Sequence, residues 1–367
     1  MMTPPVSDPR PLAGLLVLDF STLLPGPLAT LILAEAGAEV IKIERPGGGD
    51  DMRQFPPQTD GGSAAFALLN RGKRSLALDL KAADALDRLR PLLARADVLV
   101  EQFRPGVMDR LGLGHDALAA LNPGLIYCSI TGYGQHGPRA SEAGHDLNFM
   151  ANSGLLGLVA GADGAPVLPP ALVGDIGGGA YPAAINILLA LQARARTGRG
   201  CHLDISMHDG LMPFAFAALA ETIAGHPFPA ANTLLTHGGS PRYRLYRMAD
   251  GRFLAAAPLE DRFWRNFCDA AELPETATGD DVAARVAAHD SAEWRRRLAG
   301  RDTCCTIVAT PEEAATDPHF AARFLFAHRV RFAGREFPAL PVPVDPQLRA
   351  RPGVLDSPAL GEAGPDF

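Results

Sequence analysis

The first 210 residues alternate short, nearly continuous apolar runs with helical patterns of apolar and polar positions. Apolar runs of this kind are typical of strands covered on both faces. The predicted strands lie at 15–20, 39–44, 75–80, 97–103, 125–130 and 201–207, and the helical patterns lie at 27–37, 81–96, 115–122 and 179–195. Alternation of strand and helix predicts an α/β domain with an open, Rossmann-like parallel sheet wrapped by helices.

The pattern changes after about residue 225. Two strand-like runs meet at Asp250-Gly251, which is a strong hairpin signal, and helical patterns follow. The chain is therefore predicted to fold as a large α/β domain (1–225), a smaller α+β domain (235–330) and a proline-rich tail (331–367). The tail is expected to run extended and to return to the large domain.

Composition narrows the class of protein. The 367 residues are 47% apolar and carry a formal net charge of −7. A nucleic-acid-binding protein presents a basic face, so no nucleic-acid partner is expected. The longest apolar run, GLMPFAFAALA, is too short to span a bilayer, and no membrane partner is expected. The five cysteines show no C-x-x-C spacing and the N-terminus has no signal-like segment, which together predict a cytoplasmic protein.

Two motifs suggest chemistry that their context does not support. GYGQHG at 132–137 has the glycine spacing of a dinucleotide-binding turn, but it does not open a helix and no acidic strand end follows. A glycine-rich turn is the better interpretation. Asp204 and His208 stand four apart, but the pair begins inside a predicted strand, where that spacing does not place two ligands on one helix face. No metal site is predicted.

Four acid/base groups stand out by context, and each also has a structural explanation. His145 could be a core histidine, and Asp146 could cap a helix beginning at Leu147. Asp175, in LVGDIGGG, could cap the helix that follows the glycines, and Glu260, after the hairpin, could face solvent. For Asp175 two features favour function: nearby backbone N–H groups could hold an oxyanion, and apolar neighbours would raise the pKa of its carboxyl.

The sequence resembles a known family along nearly its whole length. The segments that carry the resemblance are LAGLLVLDFSTLLPGPLATLILAEAGAEVIKIERPGGGDDMR, NRGKRSLALDLK, VLVEQFRPGVMDRLGLG and LNPGLIYCSITGYGQHGP. They are similar to the family III CoA-transferase superfamily (CaiB/BaiF type), and AGHDLNF and YRMADGRFLAAAPLE are most like its α-methylacyl-CoA racemases. The resemblance implies a homodimer with interlocked chains and a coenzyme A thioester as substrate, with no prosthetic group.

The resemblance also implies roles for particular residues. His145 and Asp175 would be the two bases that flank the α-carbon, and Glu260 or Asp146 would orient the imidazole. N–H groups of Gly177 and Gly178 would hold the enolate oxygen. The coenzyme A contacts would be Leu23, Arg45, Lys73, Arg74, Phe103, Arg104 and Arg110. Arg71, Lys73 and Arg74 lie close together in the sequence, which favours a bound anion, because like charges so close together repel unless an anion lies among them.

Three functions remain open from the sequence. The leading hypothesis is an epimerase that interconverts the 2R and 2S forms of 2-methylacyl-CoA, or of a related 2-substituted acyl-CoA. The alternative is a family III CoA transferase that works through an acyl anhydride on Asp175. The third is a coenzyme A-binding protein without turnover.

Overall fold

A computed structural model describes residues 8–364. Its largest sheet has six strands, all parallel, in the spatial order β3-β2-β1-β4-β5-β6. The strands are β1 (Leu16–Asp19), β2 (Glu39–Glu44), β3 (Arg74–Ala77), β4 (Val98–Glu101), β5 (Ile126–Thr131) and β6 (Cys201–Ser206). The direction of winding reverses between β1 and β4, and in open parallel sheets ligands bind at the carboxyl ends of the strands at such a point.

Helices cover both faces of this sheet. One face packs on a core cluster that includes Leu18, Leu99 and Tyr127 of the strands. Val17 and Ile126 are also buried but point the other way, because successive strand residues alternate faces. The helices that precede β6 are α1 (Pro25–Glu35), α2 (Ala64–Asn70), α3 (Ala85–Leu93), α4 (Val107–Arg110), α5 (His115–Leu121), α6 (Asp146–Asn152) and α7 (Tyr181–Thr197). Helices α3 and α5 contribute to that cluster, whereas α1 and α7 pack on each other.

The chain divides into two compact units. Among the described residues, the first contains 8–153, Pro170–Met212 and 321–364; the second contains Gly154–Pro169 and Pro213–Phe320. These limits differ from the expected ones, because 154–169 leaves the large domain and the boundary falls at 212–213 instead of near 225. Residues 321–330, expected in the small domain, belong to the first unit.

The second unit is built on a three-stranded antiparallel sheet. Its strands are β7 (Arg244–Arg247), β8 (Phe253–Ala256) and β9 (Cys305–Ile307), with β8 in the centre. The turn between β7 and β8 contains Gly251 at φ 84°, which confirms the Asp250-Gly251 hairpin. Five helices accompany it: α8 (Phe216–Ile223), α9 (Asp261–Ala271), α10 (Gly279–Ala287), α11 (Ser291–Leu298) and α12 (Pro311–Ala315).

The C-terminal segment is more regular than expected. After α13 (Pro318–Ala322), three strands pair in the order β11-β10-β12. They are β10 (Arg329–Phe332), β11 (Arg335–Pro338) and β12 (Val354–Asp356). Val330 and Phe332 of β10 pack with Ala67 of α2, so the described part of this segment is fastened to the first unit.

Candidate functional site

A cleft of about 380 Å³ lies at the carboxyl edge of the large sheet. Its walls come from segments that follow strands: Leu23 and Pro25 after β1, Gln102–Pro105 after β4 and Met207 after β6. These strands flank the point where the winding reverses, which is where an α/β sheet places its ligand. All of the residues that line the cleft belong to the first unit.

Asp175 enters this cleft from a π-helical turn, Gly174–Ala180, that continues directly into α7. From the sequence, Asp175 could have capped a helix that begins after the glycines. A π-helical turn is wider than an α-helical turn and is frequent at functional sites. Asp175 therefore lies in the first turn of a long helix and not in a flexible glycine loop.

The carboxyl of Asp175 has a raised pKa. Burial disfavours its charged form and brings the pKa to about 6; the neighbouring charge of Asp146 acts in the same direction, and His145 opposes it. A carboxyl that titrates at this pH exchanges protons readily near neutrality, which suits a general base.

His145 lines the same cleft and immediately precedes α6. Its backbone N–H donates to Asn148 Oδ1 at 3.0 Å, which fixes the start of the helix. Asp146 differs from the prediction that it caps a helix beginning at Leu147. It is the first residue of α6, it is buried, and its Oδ1 accepts the backbone N–H of Asp175 at 2.9 Å. Asp146 therefore ties α6 to the π-helical turn.

The glycines of this turn serve packing. A Cβ on Gly178 would lie 2.2 Å from the backbone oxygen of Met207, and one on Gly179 would lie 2.9 Å from the Met207 side chain. Gly177 and Gly178 are not among the residues that line the cleft. The role expected of their N–H groups, to hold the enolate oxygen, stays a prediction.

Three of the predicted coenzyme A contacts line the cleft, namely Leu23, Phe103 and Arg104. Leu23 has a left-handed backbone (φ 62°), unusual for leucine, and its N–H donates to Asp50 Oδ1 at 2.9 Å. Arg104 is exposed and brings a positive charge to the cleft, as binding of a phosphate or a carboxylate requires.

Lys73 does not line the cleft. Its Nζ is fully buried and is surrounded by oxygens of Asp19, Pro27, Thr30 and Asn70 at 2.8–3.0 Å. Arg71, also buried, pairs with Glu35 at 2.7 Å. The anions that balance these two cations are therefore internal carboxylates, and the inference of a bound anion among them is wrong.

The other three predicted contacts lie outside the cleft lining. Arg74 begins β3, away from the carboxyl edge, and pairs with Glu39. Arg45 follows β2 at the carboxyl edge, where its exposed side chain pairs with Asp51. Arg110 ends α4 and is exposed.

Glu260 belongs to the second unit. It is exposed and immediately precedes α9, where its backbone oxygen accepts the N–H groups of Phe263 and Trp264. Its role remains a prediction.

Sequence reasoning missed several residues of the cleft. Gln102 lines it and accepts the Gly26 N–H at the start of α1 at 3.0 Å, and Asn148 and Met207 also line it. Gln102 could have been found, because a polar residue that directly follows a buried strand lies at the ligand-binding edge of a parallel sheet. Met207 follows β6 in the same way.

Comparison with known proteins agrees with this architecture. The chain is 35% identical to the α-methylacyl-CoA racemase of Mus musculus over 365 residues, covering 96% of this chain and 91% of the relative. It is 40% identical to the acetyl-CoA:oxalate CoA-transferase of Acetobacter aceti over 283 residues, covering 75% and 70%. The crystal structure of a CaiB/BaiF family protein from Brucella suis superposes with a TM-score of 0.79 at 31% identity and 97% coverage of both chains. The family model for CoA-transferase family III matches residues 12–363, and the chain belongs to this family of enzymes, whose substrates are coenzyme A thioesters.

Proposed function

We propose that this enzyme is an acyl-CoA epimerase that inverts the carbon next to the thioester carbonyl. The observation that carries the proposal is that an imidazole and a carboxyl from distant parts of the chain, His145 and Asp175, line the same cleft. The similarity to α-methylacyl-CoA racemases over nearly the whole chain supports it.

The chemistry needs two groups of this kind. The hydrogen next to a thioester carbonyl is a weak acid, so its removal needs a base on one face of the carbon and a proton donor on the other. In one direction Asp175 takes the proton, an enolate forms, and protonated His145 returns a proton to the opposite face. In the other direction the two residues exchange roles, so no proton is lost or gained overall.

A second candidate is CoA transfer. Here the Asp175 carboxylate would attack the thioester carbonyl, the C–S bond would break, coenzyme A would leave as the thiolate, and an acyl anhydride would remain on the aspartate. The similarity to an oxalate CoA-transferase and to succinyl-CoA transferases favours this candidate. It needs a second carboxylic acid and assigns no proton transfer to His145.

One incubation separates the two candidates. The enzyme is mixed with a single enantiomer of a 2-methylacyl-CoA in D₂O, and deuterium at the 2-position is followed by mass spectrometry, with and without an added carboxylic acid. Epimerisation predicts deuterium uptake in both samples, together with loss of optical purity. Transfer predicts a new thioester only with the added acid and no deuterium uptake, and that result would contradict the proposal.

Substitution of His145 gives the sharper comparison. His145→Ala is expected to lower the rate of deuterium uptake at least about 100-fold, since a positioned acid/base group contributes that much or more. Asp175→Asn removes the second base and is expected to be equally damaging. The matched control is His226→Ala, which alters an exposed histidine of the second unit paired with Glu221. Full activity of His145→Ala would contradict the two-base assignment.

A further inference from the structure

A second cavity, of about 300 Å³, lies beside the cleft in the first unit. Arg104 and Pro105 line both cavities, so the segment that follows β4 forms a wall between them. The second cavity is lined largely by polar side chains, which include Glu101, Ser129 and His202. None of these three has a part in the proposed proton transfer.

The register of the sheet brings these side chains together. Glu101 is the last residue of β4 and lies opposite Ser129 of β5, which lies opposite Asp204 of β6. Ser129 lies opposite Glu101 and lowers the pKa of its carboxyl, and the Ser129 hydroxyl lies 2.9 Å from His202 Nε2. Glu101 is only 4% exposed and Ser129 only 1%. Polar side chains of three neighbouring strands therefore meet beside the cleft, with Glu101 and Ser129 buried and His202 exposed.

Glu101 also holds the wall itself. One of its carboxylate oxygens, Oε2, accepts the backbone N–H of Phe103 at 2.8 Å, and a hydrogen bond to an ionised carboxylate is stronger than a neutral one. The next side chain, Gln102, points the other way and accepts the Gly26 N–H of α1. Two successive side chains thus fix the segment to opposite layers of the fold, immediately before Phe103 and Arg104 turn toward the cleft.

We propose that Glu101 is a positioning residue for binding of the coenzyme A thioester: its buried carboxylate accepts the Phe103 N–H and so sets the position of Phe103 and Arg104 in the cleft. The inference rests on the proposed function in taking the cleft as the thioester site. Glu101 acts through the backbone of Phe103 and makes no contact with substrate.

The surroundings of Glu101 make this contact sensitive to pH. Burial raises the pKa of Glu101 to about 7, and the charges of Asp109 and Asp204 act in the same direction, against the hydrogen bonds from Ser129 and Phe103. The other charged or titratable groups of the second cavity are Arg104, His115, Asp116, Tyr127, His136 and His202. A protonated carboxyl is the weaker acceptor for the Phe103 N–H. We therefore expect KM to rise as the pH falls through about 7.

Three substitutions test this. Glu101→Ala removes the acceptor, and we expect KM for an acyl-CoA at pH 8 to rise about tenfold, the loss typical of one charged hydrogen bond, with kcat within about threefold. Glu101→Gln keeps an oxygen for the Phe103 N–H but cannot ionise, so its KM should match that of the parent enzyme at low pH, above the parent value at pH 8, and should show no inflection near pH 7. Ser129→Ala removes a side chain that lowers the pKa of Glu101, so it should move the inflection to higher pH, and it tests the inference if Glu101→Ala does not fold.

The matched control is Asp116→Asn, an exposed carboxylate on the same cavity, which should leave the pH dependence of KM unchanged. An inflection that persists in Glu101→Gln, or a fall in kcat at constant KM in Glu101→Ala, would overturn the inference. Calorimetric titration with coenzyme A itself separates it from the proposed function. Weaker binding of coenzyme A by Glu101→Ala supports the positioning role even if the enzyme proves to be a transferase. Unchanged KM and unchanged coenzyme A binding in an active epimerase would reject the positioning role and leave the proposed function standing.

Discussion

At the scale of single residues, Asp146 influences Asp175 in two separable ways. It accepts the Asp175 N–H at 2.9 Å, and its negative charge helps to raise the pKa of the Asp175 carboxyl to about 6. The first effect needs only an oxygen atom, whereas the second needs the charge.

Asp146→Asn is therefore an informative change. Asparagine keeps an oxygen for the backbone N–H but removes the negative charge, so the pKa of Asp175 should fall. Protonated Asp175 can act neither as base nor as nucleophile. For the enantiomer whose proton Asp175 removes, kcat/KM of the parent enzyme should therefore decline as the pH drops through about 6, and this acid limb should move to lower pH in the variant.

The measurement is kcat/KM for deuterium exchange or thioester turnover between pH 4.5 and 8. The control is Asp163→Asn, an exposed aspartate that also accepts a backbone N–H. An acid limb that stays in place, or moves upward, would show that Asp146 does not set the ionisation of Asp175.

The residue scale also shows how far the sequence could predict the site. The order of motifs was enough to single out His145 and Asp175, because both lie in short distinctive segments. The burial and ion pairing of Lys73 and Arg71 could not be predicted. Their carboxylate partners, Asp19 and Glu35, lie 54 and 36 positions away along the chain. The cluster of cations in the sequence therefore indicated a bound anion, whereas in the fold carboxylates of the protein itself balance these charges.

At the scale of elements, the strands were predictable and the turn that carries Asp175 was not. The strands of the large sheet are buried on both faces, so their apolar runs are nearly continuous and unambiguous. Three glycines in a row after Asp175 favour a loop by propensity, yet this segment is π-helical because Gly178 and Gly179 pack directly against Met207. Contacts that distant in sequence override local propensity.

This close packing predicts the effect of a single methyl group. Gly178→Ala would place a Cβ 2.2 Å from a backbone oxygen that cannot swing away, so the turn must shift. We expect a loss of about 1–3 kcal/mol in the free energy of unfolding, the usual cost of overpacking, together with reduced turnover as Asp175 moves.

Urea denaturation of the two proteins measures the loss of stability. Gly157→Ala is the control, because a Cβ there meets nothing within 4 Å and its φ is not positive. Equal stability of Gly178→Ala and the parent enzyme would contradict the packing argument.

At the scale of the whole molecule, the outer face of α7 is unusually apolar. Tyr181, Ile185, Leu188 and Leu189 are 38–63% exposed and follow the spacing of one helical stripe. The helix Gly174–Thr197 is 24 residues long and apolar enough, by length and composition, to cross a bilayer, which differs from the expectation that no run was long enough. Its other face packs in the core through Ala183 and Ile187, and the π-helical turn before it carries Asp175. We therefore propose that the exposed stripe contacts a second copy of the chain.

The prediction is a homodimer, with a mass by light scattering of twice 38.7 kDa. Ile185→Glu combined with Leu189→Glu should lower the dimer fraction strongly, because two charges would be buried without partners. Leu348→Glu, an exposed leucine of the C-terminal segment, is the control. A monomeric parent enzyme at micromolar concentration would contradict the assignment.

The internal ion pairs leave the surface with very few amines. The chain has three lysines. Lys42 and Lys73 are buried in the first unit, where they form ion pairs with Asp19 and Asp50. Lys81 is the one exposed lysine. Thioesters spontaneously acylate uncharged amines, and an enzyme that handles them at high concentration is itself a target of such damage. Arginine supplies nearly all of the positive charge at the surface, and it stays protonated, so it does not react in this way. Prolonged exposure to substrate should therefore modify this protein at few sites other than Lys81.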